Sequence, residues 1–304
     1  KRGDHELSAV ARFRFAELLS NEGEKVEAHA AAKAGFDAFP KSHGGLLCFN
    51  LVKAIEAPAV ELFTERVWAD PLPPVRVKYR NAAGVHFRLY AADWVKRVGT
   101  ANWRPENLTQ IEQVAMLQKK PDHAWSADLP ATPDYHDRTE DTPAPKDLKP
   151  GFYFLFASPD PDFGKGTAPI FQTDVWVSDL AMVLNTKAGG HGVEGLVVKA
   201  KSGEPAAGAK LRMWTRDNQS RLVDAGETDA DKGGKFSVAG AQRGYVFLAE
   251  HDGRRLATAN EYYAHGFGGH HPHQQTVLFT DRALYRPGQQ VRFKGIALKV
   301  NPGQ

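Results

Sequence analysis

The chain has 304 residues, room for two or three domains at roughly 100–200 residues each. Hydrophobic residues make up 42% and charged residues 25%, a globular composition that excludes wholesale disorder. The 39 basic residues against 36 acidic ones leave a net charge of +3, too small and too scattered to argue for nucleic acid. No run approaches the roughly 20 apolar residues of a membrane span. The single cysteine, Cys48, excludes an intrachain disulfide and a thiolate zinc cluster.

Residues 5–39 read as two helices. Leu7, Val10, Ala11, Phe15, Leu18 and Leu19 recur at helical spacing, and Asn21-Glu22-Gly23 breaks the run. An alanine-rich second helix follows, and Pro40 stops it. Leu47, Leu51 and Ile55 give a third helix over 42–56, ended by Pro58. The paired helices fit either one unit of a helical repeat or a small helical lead-in.

The periodicity then changes to that of strands. Val75, Val77 and Tyr79 alternate with Arg76 and Lys78, and Val85, Phe87 and Leu89 alternate with His86, Arg88 and Tyr90. Asn81-Ala-Ala-Gly84 between them reads as a hairpin connection. Residues 99–148 read as an irregular excursion, with a short helix between Pro105 and Lys119 and a mobile stretch at 130–146. Strands resume at 151–156, 170–177 and 180–184.

A glycine-rich boundary at 186–192 opens a more regular unit. Strands at 195–200, 209–214 and 245–249, with another following the turn before Phe236, are separated by turns in the manner of a small β-sandwich. Residues 265–276 read as a Gly/His/Pro linker. Two further strands follow, about a turn at Tyr285-Arg-Pro-Gly288. The expected division is a helical segment at 1–57, a β-sandwich at 58–187 carrying the irregular insertion at about 99–148, an immunoglobulin-like sandwich at 188–264, and a linker with the start of a truncated domain at 265–304. The chain starts at Lys1 and ends inside a strand pattern, so it is expected to be a piece of something longer.

The candidate chemistry is sparse. Cys48 lies in Leu-Leu-Cys-Phe-Asn and reads as a buried structural thiol. His265, His270, His271 and His273 could bind a transition metal, but their glycine-rich surroundings preorganise no site. Asp229, Asp231 and Gly233 look like part of a calcium loop, yet no acid follows at 234–242 to close it; Asp160, Asp162 and Gly164 fail in the same way. No nucleophile elbow, zinc-protease helix, phosphate loop or dinucleotide fingerprint is present. Trp68, Trp94, Trp176 and Trp214 are expected in β-cores. No catalytic, cofactor-binding or metal residue is therefore assigned, and the chain is read as a non-enzyme without a cofactor.

One segment carries a family resemblance. Phe279-Thr-Asp-Arg-Ala-Leu-Tyr-Arg-Pro-Gly288, followed by Val291-Arg-Phe-Lys-Gly295, closely resembles the opening of a macroglobulin domain in the alpha-2-macroglobulin family, bacterial members included. Its Pro287-Gly288 independently suits a type II turn, with glycine at the positive φ. Residues 193–238 resemble the immunoglobulin-like unit that often precedes this signature. Residues 39–90 resemble the junction between a helical region and the first β-domain, and Trp176-Val-Ser-Asp-Leu180 resembles that domain's last strand. The resemblance implies a mainly β fold: immunoglobulin-like and macroglobulin β-sandwich domains in series behind a helical N-terminal segment. It implies scaffold domains of an extracytoplasmic endopeptidase inhibitor, periplasmic or on the cell surface, that traps proteases. Its partners would be proteases, through the full-length protein, and neighbouring macroglobulin domains of the same chain. The Cys-x-Glu-Gln thioester that many members carry, though not all bacterial ones, is not here, so that chemistry, if the parent has it, would lie downstream of Gln304. The competing reading is a surface adhesion or carbohydrate-binding module built from immunoglobulin-like domains.

Overall fold

The computed structural model describes residues 5–101, 103–164, 169–186, 192–239, 244–263, 273–280 and 290–300. They fall into two compact units. One comprises the residues up to Leu180 with 200–202 and 252–255; the other holds the rest.

The first unit opens with three helices, α1 (Leu7–Glu22), α2 (Lys25–Ala38) and α3 (His43–Glu56). Gly23 ends α1 in the left-handed region at φ 94°, which a residue with a Cβ adopts only with strain. Ser42 caps α3 by accepting a hydrogen bond from the Gly45 amide at 3.0 Å. The helices pack through small residues. Ala9, Ala16, Ala28, Ala32 and Cys48 are fully buried, whereas Leu7, Phe15 and Leu18 are exposed. The larger apolar stripe of α1 thus faces outward, opposite to the core face that its periodicity suggests. Close approach of the helices is the reason. A Cβ on Gly35 would meet Cys48 Sγ at 2.6 Å, and one on Gly44 would meet the Val10 amide nitrogen at 2.5 Å.

A β-sandwich follows: β1 (Ala59–Phe63), β2 (Val67–Trp68), β3 (Val75–Arg80), β4 (Gly84–Ala92), helices α4 (Trp94–Val98) and α5 (Gln110–Leu117), then β5 (His123–Asp128), β6 (Arg138–Thr142), β7 (Gly151–Ser158) and β8 (Phe171–Val177). One sheet has the order β1-β3-β6, the other β2-β8-β7-β4-β5. Pairing is antiparallel except for β2 with β8. The inner faces meet in a core that contains Leu62, Val75, Val77 and Tyr79 from the first sheet and Val85, Phe87, Leu89, Tyr153, Leu155 and Val175 from the second.

Two expectations need correction here. Residues 81–84 do not close a hairpin, because β3 and β4 belong to different sheets. Asn81 makes the crossing instead, at φ 52°. Its Nδ2 donates to the carbonyls of Ile55 (2.6 Å) and Ala57 (3.2 Å), and its amide donates to Thr132 Oγ1 (2.8 Å). The segment 99–148 is not irregular throughout. Its second half supplies an edge strand to each sheet: β5 pairs with β4 from Gly84↔Asp128 to Leu89↔His123, and β6 pairs with β3 from Val75↔Thr142 to Tyr79↔Arg138. Residues Arg138–Thr142 are polar because only Thr142 of that edge strand is buried, which is why their composition suggests a loop.

The second unit contains β9 (Leu180–Thr186, its first residue from the first unit), β10 (Gly192–Lys199), β11 (Lys210–Arg216), β12 (Leu222–Asp229), β13 (Lys235–Ala239), β14 (Gly244–His251), β15 (Arg254–Ala257, its first two residues from the first unit), β16 (Tyr262–Tyr263), β17 (His273–Thr280) and β18 (Phe293–Val300). A three-stranded sheet β13-β10-β9 faces a sheet β12-β11-β14-β15, with β16 added against β14. Phe236 of β13 and Phe247 of β14 are both buried, their rings 5.5 Å apart, so side chains of the two sheets interdigitate. β17 and β18 pair antiparallel from His273↔Val300 to Thr280↔Phe293. That pairing agrees with the expected strand–bend–strand arrangement, and the bend itself, 281–289, lies outside the described residues. The architecture is mainly β, with a helical N-terminal segment and serial sandwiches.

Candidate functional site

A dense polar assembly lies on the outer face of the five-stranded sheet of the first unit. Alternation along β7 sends Phe152, Phe154 and Phe156 to this face while Tyr153 and Leu155 enter the core, so the strand is buried on both sides. Register places Tyr90 of β4 and Asp174 of β8 on either side of Phe154, and Trp176 beside Phe152. The segment between β4 and β5 lies over these aromatics. Asp93 caps α4, accepting from the Lys96 amide at 3.2 Å, and Thr109 with Glu112 forms a capping box on α5.

Two arginine-centred nodes hold the segment together. Arg97 sits over the Phe154 ring, 5.1 Å from its centroid. It donates from Nε to the Pro105 carbonyl (2.6 Å), from Nη2 to the Asn107 carbonyl (2.7 Å) and from Nη1 to Glu112 Oε1 (2.9 Å). In the second node Glu106 is the acceptor. Arg66 Nη2 (3.2 Å), Arg104 Nη2 (3.3 Å) and Trp94 Nε1 (3.0 Å) all donate to its Oε1, and Arg104 Nε donates to its Oε2 (3.1 Å). Arg66 Nε also lies 3.5 Å from Asp174 Oδ2, so one guanidinium bridges the covering segment and the sheet. The Glu106 side chain is only 10% exposed.

Burial pushes both carboxyls up, with different outcomes. For Glu106, the hydrogen bonds and charge of Arg104 and the Trp94 bond outweigh burial, and the group stays below the ordinary range. For Asp174, burial and the neighbouring Glu106 outweigh Arg66, and the group stays above it. Paired carboxylates of this kind could in principle do acid–base work. Here Glu106 is bound by two arginines and Asp174 lies at ion-pair distance from one of them, beneath a covering segment, an arrangement that clamps structure. Sequence reading misses this assembly because its members come from four separated stretches and share no motif spacing.

The residues singled out in the sequence are not brought together. Cys48 is buried between helices, where its thiol donates to the Ala9 carbonyl at 3.4 Å; burial pushes it up against a smaller opposing effect of Arg12. Asp231 Oδ1 accepts from the amides of Gly233 (2.8 Å) and Lys235 (2.9 Å), so its carboxylate serves the turn before β13. Asp160 does likewise for Asp162 (2.9 Å) and Gly164 (3.1 Å). Among the described residues, no group of three His, Cys, Asp or Glu side chains is placed to hold a metal ion. His265, His270 and His271 lie outside the described residues, and so do residues 281–289 of the signature. Trp68, Trp94, Trp176 and Trp214 are all buried. A groove of about 570 Å³ crosses the three-stranded sheet of the second unit, lined in part by Val183, Glu194, Leu196 and Lys235.

No family model matches the chain. A protein named Alpha-2-macroglobulin from Ralstonia nicotianae is 32% identical over 125 residues, which is 41% of this chain and 7% of that protein. Over that stretch the chain is similar to an alpha-2-macroglobulin. The match spans a small fraction of that relative's length. Among solved structures, native alpha-2-macroglobulin from Escherichia coli spanning domains MG0-NIE-MG1 aligns with a TM-score of 0.51 at 12% identity, covering 66% of this chain and 64% of that one. A shorter stretch of the same protein, domains NIE-MG1, gives a TM-score of 0.46 at 14% identity, covering 66% and 96%. The first of these structures supports the fold: macroglobulin-type β-sandwiches in series. Among the described residues no helix is long and apolar enough to cross a membrane.

Proposed function

We propose that this chain is a scaffold segment of an alpha-2-macroglobulin-like endopeptidase inhibitor that traps proteases, and that the segment itself performs no catalysis. The 32% identity to the Ralstonia nicotianae alpha-2-macroglobulin is the observation that carries this reading. The serial sandwiches support it, since they suit a mechanical frame. The dense ionisable cluster of the first unit clamps a covering segment. The partners in this reading are proteases engaged by the full-length protein and neighbouring macroglobulin domains, and the location is extracytoplasmic. The proposed domain division is the one read from the sequence, 1–57, 58–187, 188–264 and 265–304, apart from residues 181–186, which group with the second unit.

The test uses the full-length parent. Incubation with a broad-specificity protease is expected to give one preferred cleavage and a smaller hydrodynamic radius, with the protease retained in the complex. Cleavage at many sites without compaction would overturn the trapping role.

A further inference from the structure

We infer that the segment between β4 and β5, residues 93–101 and 103–122, is an acid-releasable strap, held on an aromatic sheet face by Glu106 and able to open while the sandwich stays folded. Three observations converge. First, the segment folds around its own centre. Arg97 gathers Pro105, Asn107 and Glu112, so these residues move as one piece. Second, the strap's acidic node is tied to the sheet through a shared guanidinium. Arg66 joins Glu106 on the strap to Asp174 on β8, while Arg88 of β4 donates to the Leu117 carbonyl at 3.4 Å. Third, the surface below is almost wholly aromatic: Tyr90, Phe152, Phe154, Phe156 and Trp176 are each at most 3% exposed.

Glu106 is the acceptor common to both arginines and Trp94. Its protonation removes the negative charge to which both guanidiniums donate within a desolvated node. The other charged and titratable groups around the strap are Asp174 from β8, Arg88 and Tyr90 from β4, and Asp93, Lys96, Arg97, Glu112 and Asp122 of the strap itself. Asp122 Oδ2 accepts from the Ala91 amide at 2.8 Å and Asp93 caps α4, so both ends stay anchored. Opening therefore lifts the middle of the strap and bares the aromatic face. The inner core, on the opposite side of the sheet, is untouched. Partial opening of one element within a folded domain is ordinary protein behaviour.

Hydrogen exchange on the 304-residue chain tests this. With rates corrected for intrinsic chemistry, peptides from 93–122 are expected to exchange about tenfold faster at about pH 3, below the ordinary carboxyl range, than at about pH 7, while β7 stays protected. Simultaneous loss of protection in the strap and β7, or a strap unaffected by pH, would overturn the inference. Glu106→Gln should open the strap already at neutral pH and abolish its pH dependence. Asp174→Asn should leave the strap closed at neutral pH, because Arg66 then serves Glu106 alone. If Asp174→Asn opens it as far as Glu106→Gln, the node is an undifferentiated ion network and the inference fails. The wild-type pH comparison and Asp174→Asn decide the matter even if Glu106→Gln does not fold.

Discussion

Glu106 and Asp174 share one guanidinium, yet their contributions to stability run in opposite directions with pH. Glu106 is held below its unfolded value, so its contribution is present above the unfolded pKa, about 4.3, and is lost as pH falls through the folded value. Asp174 is raised above its unfolded value, about 3.9, so ionising it in the folded state costs stability, and that cost grows as pH rises through the folded value. Glu106→Gln is expected to destabilise the chain at neutral pH by about 1–3 kcal/mol, because the two arginines lose the negative charge they share and one acceptor oxygen is replaced by a donor NH2. Asp174→Asn is expected to be neutral or to stabilise by up to about 1 kcal/mol. Urea unfolding of both variants at neutral pH checks the sign of each. Cys48 gives a second test at this scale. Its burial predicts no reaction with a thiol reagent under native conditions and full reaction in denaturant. Labelling at native rates comparable to a free thiol would show that the helices open.

At the scale of the element, packing geometry explains why some segments escape the sequence pattern. The helices meet through Ala9, Ala16, Ala32 and the glycines of α2 and α3. A Cβ on Gly45 would fall on the Phe39 carbonyl oxygen, so Gly45→Ala is expected to cost about 1–3 kcal/mol, measured by thermal or urea unfolding. β6 makes the complementary point. Arg138–Thr142 reads as a polar linker, yet it is paired along its length with β3, and Arg76 donates to Asp141 from Nε (2.8 Å) and Nη2 (3.2 Å) across the pair. Trypsin under native conditions is therefore expected to spare Arg138. Rapid cleavage there, detected by mass spectrometry, would mean that the edge strand frays. The hairpin expected at 81–84 fails for a related reason. A short polar linker between two alternating strands fits both a hairpin and a crossing between sheets, and the hydrogen bonds of Asn81 to α3 and Thr132 select the crossing.

For the whole molecule, stability rests on sandwich cores and small-residue helix packing. The lone cysteine allows no internal disulfide. The two Asp-Gly stretches that resemble calcium loops spend their carboxylates on their own turns. Chelation with EDTA is accordingly expected to shift the melting temperature by less than about 1 °C, since a ligand bound only by the folded state would otherwise stabilise it by mass action. A larger fall, reversed by added calcium, would show that those turns bind a cation.

Composition and periodicity by themselves determined the class of this protein: helices at the start, alternating strands afterwards, no sulfur staples, and a family signature around Thr280. These are local properties, set by side-chain period and turn chemistry. Only the tertiary structure decided which sheet each strand joined, which face of α1 was buried, and that Arg66, Trp94, Arg104, Glu106 and Asp174 form one charged node. Each of these depends on contacts between residues far apart in the chain, and a one-dimensional pattern holds no record of which distant groups share a desolvated space.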